Sequence, residues 1–141
     1  MTPFEGMCGF RVASELAAFL GSIPELKAVV GEKESNNFIA AVKSEAGASK
    51  EDLKVCFSKL MRQDEGLVKA QLASLVARLE AAAAKTKLDE LLLRTNAQYP
   101  GDVGCFCIYF LNVVYLEVGD AMFLGPNEPH AYLAGDCIEC T

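Results

Sequence analysis

The sequence predicts an α+β protein, with a helical bundle over about residues 13–95 set between short antiparallel strand segments at 1–12 and 96–141. From Ser14 to Leu93 the apolar residues recur with the period of amphipathic helices. After Pro100-Gly-Asp102 that period gives way to β-branched and aromatic runs broken by Gly, Asp and Pro. Size is the third observation. A chain of 141 residues, 52% hydrophobic, can build one modest domain or two small units, and it is too apolar for disorder.

The helices follow in order. Ser22-Ile-Pro-Glu25 has the form of a capping box, with Pro24 tolerated in the first turn and Gly31 as a stop. Ser49-Lys-Glu-Asp52 opens a second helix, whose stripe is Leu53, Cys56, Phe57, Leu60 and Met61. Gly66 is read as the interruption. Val68, Leu72, Leu75, Val76 and Leu79 form a third stripe running into Ala81–Ala84, and Leu88, Leu91 and Leu92 a shorter last one. Glu32, Glu34, Glu51, Asp52, Asp64 and Glu65 read as helix caps and solvated faces.

The remainder reads as β structure. Cys105–Tyr115 is expected as one long strand and Val118-Gly-Asp120 as a turn. Ala121–Leu124 and His130–Leu133 are short strands around the loop Gly125–Pro129, and Gly135-Asp136 turns the chain before Cys137–Cys140. Three or four strands cannot close a barrel or cover a sheet. Unpaired strands of this kind are expected to self-associate.

Charge and termini narrow the function. Thirteen Lys+Arg against 19 Asp+Glu leave a net charge of −6, which disfavours binding to a nucleic-acid backbone. The start Met1-Thr-Pro-Phe-Glu-Gly has neither a basic nor an apolar signal region, so a cytoplasmic location with reduced thiols is expected. Val103–Leu116 is too short to span a bilayer, so no membrane association is expected. No phosphate-binding loop, dinucleotide fingerprint or nucleophile motif is present.

His130 is the only histidine. It follows a Gly-Pro-Asn-Glu-Pro loop at a strand start, with Tyr132 two residues on, and a neutral imidazole there can bind a metal. One histidine cannot hold zinc alone, and a lone histidine is more often a hydrogen-bonded structural residue. The rival site is a four-cysteine zinc cluster of Cys105, Cys107, Cys137 and Cys140. It is disfavoured because two thiols three apart on a strand face opposite sides. Cys56 belongs to a helical core stripe.

Gly119, Gly125, Asn127 and His130 are spaced as in the second metal motif of the cupin superfamily, with Gly125 for the usual Pro and Asn127 for a Gly. The wider segments Gln98–Asn112, Gly119–Leu124, Glu128–Leu133 and Gly135–Cys140, with the opening Thr2–Arg11, resemble type I mannose-6-phosphate isomerase. The resemblance implies a jelly-roll cupin domain with a helical insertion, one Zn2+, and conversion of mannose 6-phosphate to fructose 6-phosphate. It matches His130 to the last of four zinc ligands, and Tyr132 and Glu139 to residues lining the sugar-phosphate pocket, Glu139 as a proton-handling carboxylate. The family's other ligands, a Gln, a His and a Glu, precede the Thr2 motif, and its catalytic arginine follows Cys140. Glu5 and Arg11 belong to the post-ligand motif and replace none of these. The chain is therefore expected to be an internal portion of the enzyme, inactive alone. The alternative is a non-catalytic helical interaction module whose β tail docks onto another chain.

Overall fold

A computed structural model describes residues 4–116 and 130–134. Among them are strand β1 (Phe4–Phe10), six α-helices, a 3-10 segment (Val103–Tyr109), and strands β2 (Leu111–Leu116) and β3 (His130–Ala134). The α+β class read from the sequence is the class observed. The chain divides into two compact units, Val12–Cys107 and the two flanking segments together.

The helical unit contains α1 (Ala13–Ser22), α2 (Pro24–Val30), α3 (Glu32–Lys43), α4 (Lys50–Met61), α5 (Glu65–Ala81) and α6 (Lys87–Gln98). The shortest helix, α2, packs against α1, α3, α4 and α5. Its Leu26, Val29 and Val30 have no exposed surface, which explains a seven-residue helix that propensity alone would not sustain. Val68, Leu72, Leu75 and Leu79 bury one face of α5, which packs on α2 and α6, while Cys56 and Leu60 are buried on α4 and Leu91 and Leu92 on α6.

Helix ends depart from the sequence reading in two places. Ser22-Ile-Pro-Glu25 is no capping box: Ile23 is the N-cap and makes no side-chain cap bond. Glu25 instead turns inward, where its carboxylate accepts Arg78 Nε at 3.2 Å and Nη2 at 2.7 Å, with Ser74 Oγ at 3.4 Å. Gly66 interrupts nothing, because it lies in the first turn of α5, behind the N-cap Asp64 whose carboxylate accepts Leu67 N–H. Gly31 does end α2, at φ +110°, a conformation that disfavours any side chain. Capping boxes stand at Ser49/Asp52, where the sequence reading opens a helix, and at Thr86/Asp89.

The long strand expected over Cys105–Tyr115 is corrected by the structure. Val103–Tyr109 winds as a 3-10 helix and only Leu111–Leu116 is extended. Asp102 starts the winding by accepting Gly104 N–H on its side chain, at 2.8 Å, and Cys105 N–H on its carbonyl, at 3.1 Å. Residues 105–111 are buried in succession, so no two-residue alternation survives to distinguish strand from helix.

In the other unit β1 is the central strand, antiparallel to both β2 and β3. Its pairing with β2 shifts between Met7 and Phe10, where Gly9 adopts φ +68°. Asn112 Nδ2 donates to the Phe10 carbonyl at 3.1 Å across this irregularity. Arg11 then fixes the strand end, donating Nε and Nη2 to the Ile108 carbonyl at 3.1 and 3.0 Å.

Candidate functional site

His130 opens β3 in the register facing Cys8 of β1, and Tyr132 faces Gly6. The strand expected over His130–Leu133 is thus observed, and the two candidate positions share its alternation parity. Gly6 sits at the middle of the sheet, between Val114 on β2 and Tyr132 on β3. Sequence patterning does not single it out, since one glycine in a short strand carries no periodic signal. Pairing continues past a shift that sets Glu5 against Ala134. Glu139, Cys137 and Cys140 lie outside the described residues, as do the Val118–Asp120 turn, the Ala121–Leu124 strand and the Gly125–Pro129 loop.

Among the described residues no three or more His, Cys, Asp or Glu side chains converge as a metal site requires. With one histidine in 141 residues, the described part does not fit a complete zinc centre, and no metal-dependent step follows from its geometry. The cysteines of the rival site that are described behave as core residues. Cys105 and Cys107 are buried, and burial followed by the Asp102 charge pushes both thiols up to about 11. Burial does the same to Cys56, with Glu34 and Asp52 adding to it. Such thiols are poor nucleophiles at neutral pH.

The family model for the type I phosphomannose isomerase helical insertion domain matches residues 29–111. The chain belongs to the type I phosphomannose isomerase family. The mannose-6-phosphate isomerase of Homo sapiens is 45% identical over 145 residues, covering 99% of this chain and 34% of its own length. That of Candida albicans is 39% identical over 153 residues, with 99% and 35% covered. The crystal structure of apo mannose 6-phosphate isomerase from Salmonella typhimurium superposes with a TM-score of 0.73 at 30% identity, covering 95% of this chain and 31% of that one. A zinc-bound mannose 6-phosphate isomerase structure matches equally well. The chain therefore spans about a third of the length of the phosphomannose isomerases it matches. Among the described residues no helix is long and apolar enough to cross a membrane.

Proposed function

We propose that these 141 residues are part of a zinc-dependent aldose–ketose isomerase that interconverts mannose 6-phosphate and fructose 6-phosphate. The alignment with mannose-6-phosphate isomerases over 99% of the chain carries this reading, because it takes in the helices and both flanking segments together. On this reading residues 13–95 are the inserted helical domain, and 1–12 and 96–141 belong to the cupin domain into which it is inserted. His130 is one metal ligand, and Tyr132 and Glu139 line the sugar-phosphate pocket. Moving a proton between C1 and C2 through an enediol needs a positioned base, and Glu139 fills that role. The partner is a small sugar phosphate and the compartment the cytoplasm.

One imidazole cannot retain zinc against water, since each ligand of such a site adds substantially to affinity. The chain alone is therefore expected to bind no stoichiometric zinc and to turn over no mannose 6-phosphate with zinc added. Turnover that His130→Ala abolishes would show instead that copies of the chain assemble a working site between them.

A further inference from the structure

The sulfur atoms of the helical unit are accessible in an inverted order. Cys56, Cys105 and Cys107, ordinarily the softer targets, are buried. With thiols raised to about 11, roughly one in 10,000 is ionised at pH 7, and it is the thiolate that reacts. Met61, the last residue of α4, is 48% exposed. It forms one wall of an open cleft of about 320 Å3, with Val68, Lys69, Gly101, Asp102 and Val103 around it. Its Sδ lies 4.0 Å from Cys107 Sγ, whose S–H is shared with the Val103 carbonyl at 3.9 Å. An apolar thioether therefore stands at the boundary between solvent and a buried thiol.

We propose that Met61 is an oxidative modification site, taking oxygen from a peroxide ahead of the three thiols of the helical unit and releasing the end of α4 from Cys107. The thioether sulfur bonds to one oxygen of hydrogen peroxide, the O–O bond breaks, and the other oxygen leaves as water. Sulfur is oxidised by two electrons and the peroxide is reduced by two. The sulfoxide is strongly polar, so it keeps its hydration by turning into the cleft and abandons the contact with Cys107.

The test is a peroxide titration of the full chain after accessible thiols have been capped with iodoacetamide, followed by peptide mass mapping and thermal melting. Met61 should gain about 16 Da at doses that leave Cys56, Cys105 and Cys107 as free thiols. The melting midpoint should fall by roughly 2–5 °C, and peroxide should leave the midpoint of Met61→Leu unchanged. Capping or oxidation of Cys105 or Cys107 before Met61 would overturn the proposal. So would an equal peroxide-induced fall in Met61→Leu. The peptide map of the parent chain decides the order of reaction even where the variant folds poorly.

Discussion

Glu25 shows how a single side chain can cost and stabilise at once. It is 5% exposed, so burial alone would raise its carboxyl, yet the Arg78 hydrogen bonds, its own backbone N–H, the Arg78 charge and Ser74 together outweigh burial and hold it below its ordinary 4.5. A depressed carboxyl stabilises the fold fully above about pH 4.5, and that contribution is lost as pH falls through the lower folded value. Removing Arg78, itself half exposed, takes away the hydrogen bonds and charge that do most to oppose burial, so the carboxyl rises. Arg78→Ala should cost about 2 kcal/mol at pH 7 and distinctly less at about pH 4, where Glu25 can take up a proton. Urea denaturation at both values checks this, and an equal loss at both would refute the role given to Arg78. Ser35 is the opposite case, a buried Oγ on α3 with no hydrogen-bond partner. Ser35→Ala removes an unsatisfied group and adds helix propensity, so it should raise stability by about 1 kcal/mol in the same assay.

Among the elements, specific side-chain bonds set where helices begin. In the α6 capping box Thr86 Oγ1 accepts Asp89 N–H at 3.1 Å, and Asp89 Oδ2 accepts Thr86 N–H at 3.0 Å. The α4 box is built alike from Ser49 and Asp52. Thr86→Ala and Ser49→Ala should each cost about 1 kcal/mol, and the double variant the sum, because the boxes share no residue. Chemical denaturation of the three variants measures it. Only the helix start at Ser49 is legible in the sequence, since it precedes a clear apolar stripe, whereas Thr86 follows an alanine tract that obscures where one helix ends. The decoy at Ser22–Glu25 has the right spacing, but spacing says nothing of Arg78, 53 residues away. Likewise the apolar run 105–111 conceals a 3-10 helix, because complete burial erases the alternation by which strands are recognised. Stripes on α4 and α5 are legible because one buried face leaves a period; even there Met61 is exposed.

For the whole molecule, the α+β division is readable because the helical period stops abruptly near Tyr99. Pairing of β1 with both β2 and β3 is not, since a central strand is defined by partners about a hundred residues or more distant. The candidate site is legible only in part. His130 stands out as the sole histidine, and β3 begins with it as expected, but ligands that would complete a zinc centre do not converge among the described residues. On the proposed function, this chain supplies about a third of an isomerase and one of its metal ligands. The direct measurement replaces the matching third of the human mannose-6-phosphate isomerase, 45% identical to it, with this chain and assays mannose 6-phosphate turnover and bound zinc. The hybrid should be active with one zinc, and His130→Ala should cost it both metal and turnover. A hybrid that keeps its zinc and its rate after His130→Ala would contradict the proposed function.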